Sequence, residues 1–110
     1  MRVIKFRAWH KNNKSMIMSV TTNLLDRVYL IFMQYTGLND VDGVEIYEGD
    51  IVEYSDFRQG GYPAGQQPKT RQVVEFNTYY GGYHFNGVGY LLPKDMKVIG
   101  NIYENPELVK

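Results

Sequence analysis

Short runs of β-forming residues, separated by frequent turn signals, constrain this chain more than any other feature of its sequence. Val3 to Trp9 alternates with a period of two, and Val28 to Met33 is a continuous apolar run of strand length. The dipeptides Asp42-Gly43 and Gly81-Gly82 mark tight turns. Because almost no stretch shows helical periodicity, we expect an all-β fold, a barrel or a sandwich, with at most short helices.

Local signals predict several elements within this fold. The polar segment Lys11 to Ser15, whose Asn residues tolerate left-handed backbone, joins two strands into an N-terminal hairpin. Asp42-Gly43 predicts a type I′ turn, and Thr36-Gly37 predicts another turn. Glu48-Gly49-Asp50 predicts a sharp bend between two strands. Short helical turns are expected after Thr21 and in the tail that begins at Asn105.

A chain of 110 residues is the size of one domain and buries roughly two-thirds of its unfolded surface. We expect a single domain over 1–110, with an N-terminal hairpin subdomain at 1–38 and a small bent barrel at 39–110. Residues 55–70 are rich in Gly, Pro and Gln and lack periodicity. They predict a long exposed loop that either binds a partner or is flexible.

Charge is segregated although the formal net charge is zero. Residues 1–14 carry five cations and no carboxylate, whereas residues 39–57 carry seven carboxylates and no cation. A zero net charge argues against a dedicated, sequence-independent nucleic-acid binder. The two charge blocks are expected to pair with each other, within the chain or across a subunit contact.

Composition excludes several classes of site. The chain has no cysteine, so disulfides, thiolate metal sites and a cysteine nucleophile are impossible. No apolar run reaches the length of a signal peptide or membrane span, and we expect a cytoplasmic protein.

The acidic stretch 38–49 raises the question of a calcium loop, but its spacing fails. With Gly43 at the required sixth position, Leu38 and Gly49 occupy the positions of two essential ligands. His10 and His84 have no partner at ligand spacing, and no nucleophile elbow or phosphate loop is present. We therefore expect no catalytic residue, no metal and no cofactor, and interpret the acids as hairpin and bend residues.

Basic and aromatic residues suggest a contact surface. Alternation places Lys5, Arg7 and Trp9 on one side of the first strand, and tyrosines cluster around Gly81-Gly82. Such surfaces occur in single-strand nucleic-acid binders and also in subunit interfaces, which we favour here. The expected surface comprises Lys5, Arg7, Trp9, Asp50, Glu53, Tyr79, Tyr80 and Tyr83.

Three segments together resemble the YopX family of small phage and prophage proteins: IKFRAWHKNNKSM, MQYTGLNDVDGVEIYEGDIVEY and VIGNIYENPEL. They lie at the start, middle and end of the chain, so the resemblance spans nearly its whole length. The family favours Asp after the Trp, where this chain has His10. The resemblance implies a β-rich, oligomeric fold, an SH3-like barrel beginning at the Glu48-Gly49-Asp50 bend, and a gene expressed in a bacterial cytoplasm. It brings no catalytic residues.

The sequence thus predicts a non-enzymatic accessory protein of a phage or prophage that acts through self-association and contacts with host or phage proteins. The alternative is a small nucleic-acid-binding module that uses the basic and aromatic β-surface.

Overall fold

The computed structural model describes residues 4–20, 27–55, 61, 63, 65–66, 68–77, 82–84 and 95–109, and at 76–77 and 82–84 only the backbone. Within these ranges the chain forms nine strands and one 3-10 helix. The strands are β1 (Phe6–His10), β2 (Ser15–Val20), β3 (Leu30–Asn39), β4 (Glu45–Tyr47), β5 (Asp50–Ser55), β6 (Lys69–Val73), β7 (Glu75–Asn77), β8 (Gly82–His84) and β9 (Lys97–Asn101), and the helix is Pro106–Val109.

The first sheet has the order β2-β1-β3-β4 and is antiparallel at each pairing. The predicted N-terminal hairpin is confirmed, with β1 paired to both β2 and β3. Its turn closes through a 2.8 Å bond from the backbone N–H of Lys14 to the carbonyl of His10. The residue with left-handed backbone is Lys14, at φ 52°, and not one of the asparagines that the sequence suggested.

Strand β3 is longer than predicted, because the turn expected at Thr36-Gly37 does not form. Gly37 has φ 86°, and the pairing with β4 shifts register between Tyr35 and Asn39. The shift is a bulge, which a glycine with positive φ accommodates inside a strand. The Thr36 hydroxyl donates to the carbonyl of Ile46 at 2.7 Å, so it holds β4 beside the bulge.

The turn between β3 and β4 forms at the predicted place but has a different type. The N–H of Gly43 donates to the carbonyl of Asp40 at 3.0 Å, and Gly43 has φ 83°. Asp42 does not have the positive φ that a type I′ turn requires. The geometry is that of a type I turn followed by a left-handed glycine, the usual three-residue hairpin connection.

The second sheet has the order β6-β5-β9, and β7 pairs with β8. Strand β6 begins at Lys69 and ends at Val73, and β7 begins after a gap of one residue, so the pairing is interrupted at Val74. The break occurs because both backbone groups of Val74 bond to the bend before β5: its N–H donates to Asp50 at 2.9 Å, and its carbonyl accepts from Gly49 at 3.0 Å.

The strands curl around a small core, which confirms the predicted all-β fold with a bent, half-barrel sheet. The core cluster lies in both sheets and in the segments beside them: Ile46, Val52, Tyr54, Val74 and Met96, with Val98 packed against it. The predicted C-terminal turn is confirmed as the 3-10 helix that Pro106 begins.

Four further predictions are not tested by the described residues, or only in part. The division near Leu38 into two subdomains is a prediction, and β3 crosses that position. Half of the loop 55–70, the helical turn after Thr21, and Gly81 of the turn at Gly81-Gly82 lie outside the described residues.

Candidate functional site: the Glu48-Gly49-Asp50 bend and its surroundings

The bend between β4 and β5 is the point where the two sheets meet. Gly49 has φ 86°, a conformation that residues with a Cβ rarely adopt. Its N–H donates to Val74 at 3.0 Å, and its carbonyl accepts from Ile102 at 2.9 Å. A Cβ at this position would lie 3.0 Å from the sulfur of Met33. The backbone conformation therefore favours glycine here, and a larger residue would also have to displace the Met33 side chain.

A buried ion pair joins β1 to this bend. Nη2 of Arg7 donates to Oδ1 of Asp50 at 2.7 Å and to the carbonyl of Glu48 at 3.3 Å. Arg7 is 7% exposed and Asp50 is 2% exposed. The guanidinium lies over the ring of Tyr47, 4.7 Å from its centroid. Nε of Arg7 is buried without a hydrogen-bond partner among the described residues, which adds to the desolvation cost.

Burial raises the pKa of Asp50 above its usual value. The N–H of Tyr47, which donates to Oδ2 at 2.8 Å, and the charge of Arg7 act in the opposite direction but do not outweigh burial. The pair is therefore a structural device whose desolvation cost is large. It fixes β1 against the bend.

A second ion pair lies beside the first, at half-exposed positions. Lys5 pairs with Glu45, and its ammonium lies 4.9 Å from the centroid of the Tyr35 ring. The hydrogen bond to Glu45 raises the pKa of Lys5. The basic and acidic blocks thus meet within the chain at two points.

Other members of the predicted contact surface have different environments. Trp9 stacks on Tyr103 with a centroid distance of 5.6 Å, and it is half-buried. Glu53 accepts from Nε of Arg71 at 2.9 Å on the exposed side of the second sheet. Because Arg7 and Asp50 are buried, they do not belong to a solvent-facing surface.

The tyrosine cluster can be placed only in part. Tyr79 and Tyr80 lie outside the described residues, and of Tyr83 only the backbone, paired with Phe76 in β7, is described.

Asp40 shows why the acidic stretch is structural. Its carboxylate accepts from the N–H groups of Asp42 at 2.8 Å, Val44 at 2.9 Å and Val98 at 2.9 Å. Burial opposes the charged form, but these three donors and nearby Lys97 together hold the pKa of Asp40 below its usual value. The side chain closes the β3–β4 turn and ties it to β9.

His10 closes the hairpin turn after β1. Its Nδ1 accepts from the N–H of Asn13 at 3.1 Å, and its ring lies 4.9 Å from that of Tyr29. The side-chain acceptor satisfies a backbone N–H of the turn.

A pocket of about 280 Å³ opens beside the bend. Its apolar walls come from both sheets and from the segment after β9: Phe32, Met33, Val73, Val74, Ile102 and Tyr103. Glu48 and Glu75 also line it. Sequence reasoning missed this pocket because its walls come from four distant segments that only the curled topology brings together.

Strand β2 forms an edge of the first sheet, and no described strand pairs with its outer side. Its sequence SMIMSV carries no charge. Met18 is 53% exposed, and Ile4, two residues before β1, is 69% exposed. Ser19 has φ 59°, and Met18 with Ser19 forms a bulge opposite Arg7. An apolar edge thus faces outward.

Asp95 is a structural residue that the sequence did not reveal. It accepts from the hydroxyl of Ser55 at 2.5 Å and from Nζ of Lys69 at 3.0 Å. Burial disfavours the charged carboxylate, but these donors outweigh it and lower the pKa of Asp95. No motif links residues so far apart in the chain, so only the fold shows the contact.

No group of three His, Asp or Glu side chains among the described residues is arranged to hold a metal ion. No helix in the same part of the chain is long and apolar enough to cross a membrane.

Comparisons with known proteins support the resemblance found in the sequence. A family model described as YopX protein matches residues 18–110, which include the central and closing segments of that resemblance. Protein EF1440 from Enterococcus faecalis, a crystal structure, is similar to this chain with a TM-score of 0.72 and 24% identity, and the match covers 100% of each chain. At that identity the likeness shows the fold alone. No curated protein matched the sequence.

Proposed function

The chain belongs to the YopX family, and we propose that it is a non-enzymatic accessory protein of a phage or prophage. It acts in the cytoplasm of a bacterial host through self-association and contacts with other proteins. The phage context rests on the family, and the mode of action rests on two features of the described residues. These are the structural use of the acidic side chains and the uncharged edge strand β2.

The acidic residues that might serve chemistry are engaged in holding the fold. Asp40 accepts three backbone N–H bonds, and Asp50 is paired with Arg7 in the interior. Glu48 accepts from the N–H of Gln34 at 2.6 Å, and Glu45 pairs with Lys5. A general acid or base needs access to a substrate proton. The arrangement therefore favours an architectural role for these carboxylates.

The β2 edge is the observation that carries the proposal. Natural proteins protect exposed edges with charged side chains, proline or bulges, because unpaired backbone groups recruit further strands. Here the strand Ser15–Val20 has no charge, and only the bulge at Met18 and Ser19 interrupts it. A second copy can pair along the regular half, Ser15 to Ile17, and pack against the exposed side chain of Met18.

Protein contacts also fit better than nucleic-acid binding. The alternative requires Lys5, just before β1, and Arg7 in β1 to contact phosphates. Arg7 is instead buried against Asp50, and Lys5 is paired with Glu45. The cationic face that motivated the alternative is therefore largely used within the chain.

Light scattering of the purified protein tests this proposal. We expect the wild type to exceed the 12.8 kDa mass of one chain, and Met18→Lys to reduce the mass to that value. A lysine at an exposed edge position opposes strand pairing and costs little in folding. Val44→Lys is the matched control, since Val44 is 48% exposed beside β4, at the opposite edge of the sheet.

The same light-scattering measurement is repeated at several salt concentrations. Because the charge blocks pair within the chain, association should persist when salt is added. A wild type that is monomeric at every concentration would overturn the self-association. An unchanged mass for Met18→Lys would overturn the role of the β2 edge.

A further inference from the structure

We propose that the pocket beside Gly49 binds an arginine side chain of a partner protein. The pocket lies at the junction of the two sheets, at the bend before β5, and not at the β2 edge. The inference therefore goes beyond the self-association proposed above and stands or fails separately from it.

The pocket is built into the fold, because hydrogen bonds tie its walls to the bend. Gly49 bonds to the backbone of Val74 on one side and of Ile102 on the other, at 3.0 and 2.9 Å. A side chain at Gly49 would press against Met33 and lie 3.6 Å from the Tyr103 ring. The glycine thus brings these walls close together and keeps the site preformed, which lowers the entropic cost of binding.

The charge of the residues that line the pocket favours a cationic ligand. Glu48 and Glu75 are the charged residues among the described lining. One oxygen of Glu48 accepts from Gln34, while Oε2 accepts no hydrogen bond from a described residue. Glu75 is exposed and likewise has no ion-pair partner in the described ranges. The nearby charge of Arg7 is already matched by Asp50. One oxygen of Glu48 and the carboxylate of Glu75 therefore remain for a ligand.

The size and walls of the pocket select a long side chain with an apolar stem. At about 280 Å³ it is slightly smaller than most ligand pockets, which measure roughly 300 to 1,000 Å³, and it suits one side chain better than a cofactor. Met33, Val73 and Ile102 can pack against methylene groups. Tyr103, whose ring stacks on Trp9, also lines the pocket. A guanidinium can contact aromatic rings and bonds to carboxylates in a fork geometry.

Two amino-acid amides that differ in charge test this proposal. Nα-acetyl-arginine amide and Nα-acetyl-citrulline amide have nearly the same shape, but only arginine is charged. We expect the arginine compound to shift the amide resonances of Gly49, Val74 and Ile102 in a saturable manner. The citrulline compound should bind at least about threefold more weakly, as expected for a half-exposed ion pair.

Variants show whether the carboxylates are responsible. Glu75→Gln changes an exposed side chain and should weaken arginine binding by about threefold, with the folded spectrum retained. Glu53→Gln is the control, because Glu53 is a carboxylate of the second sheet that pairs with Arg71 away from the pocket. It should leave the affinity unchanged.

The same titration on Met18→Lys separates this proposal from self-association, and arginine should bind it as it binds the wild type. Equal binding of the two compounds, shifts that do not saturate, or full affinity in Glu75→Gln would each overturn the arginine site.

Discussion

Loss of the buried ion pair between Arg7 and Asp50 should be the most damaging small change to this protein. Asp50→Asn keeps the size of the side chain and the oxygen that accepts from Tyr47, but it removes the negative charge. Arg7 would then be a cation that is 7% exposed and unpaired. Breaking a buried pair in this way costs about 3 to 5 kcal/mol.

That cost is large in relation to the whole fold. A domain of this size has about 5 to 15 kcal/mol of stability, so Asp50→Asn should remove roughly a fifth of it or more. The melting temperature should fall by about 15 °C. Glu53→Gln, which breaks an exposed pair on the same strand, should cost less than about 1 kcal/mol.

Urea unfolding measures these free energies. Trp9, the single tryptophan, stacks on Tyr103 and reports unfolding by fluorescence. A double-mutant cycle with Arg7→Met should show that the two single losses exceed the loss of the double variant by about 1 to 3 kcal/mol. An Asp50→Asn variant as stable as Glu53→Gln, or strictly additive losses, would refute the reasoning.

Three further changes have clear expected outcomes. Asp40→Asn should cost about 1 to 2 kcal/mol near neutral pH in urea unfolding, because Asn cannot accept all three backbone bonds. The pKa of Asp40 is lower in the folded state than its usual value of 3.8, so its stabilising contribution is fully present above pH 3.8 and is lost as the pH falls through the folded pKa. The difference in unfolding free energy between Asp40→Asn and the wild type should therefore shrink below pH 3.8. Gly49→Ala should cost about 1 to 3 kcal/mol in the same assay, and a neutral effect would contradict the strain argument. Trp9→Ala should lower the melting temperature through loss of the stacked Tyr103 pair, measured by circular dichroism, whereas an unchanged melt would show that the stack adds no stability.

The sequence predicted the strands whose local signals agree with their final environment. The hairpin around Lys14, the break at Gly49 and the helix at Pro106 all depend on residues close in the chain. The turn predicted at Thr36-Gly37 was wrong, because the same glycine that favours a turn also permits a bulge within a long strand. Local pattern alone cannot separate these two outcomes.

The site was harder to predict for a topological reason. Alternation grouped Arg7 with Lys5 and Trp9 as a solvent face, but the β4–β5 bend packs on that face and buries Arg7. The segregated charges did predict that the two blocks pair, and in the described residues they do so within the chain. The pocket and the Asp95 contacts join distant segments, and no spacing rule reveals them.

Amide hydrogen exchange of β2 tests the central claim most directly, because it reports whether another strand covers this edge. If a second copy pairs there, the amides of Ser15 to Ile17 should become more protected when the concentration rises about a hundredfold. In Met18→Lys the exchange rates of these amides should be the same at the low and the high protein concentration. Exchange in β2 that is independent of concentration, in a sample whose scattering shows an oligomer, would contradict the proposed interface.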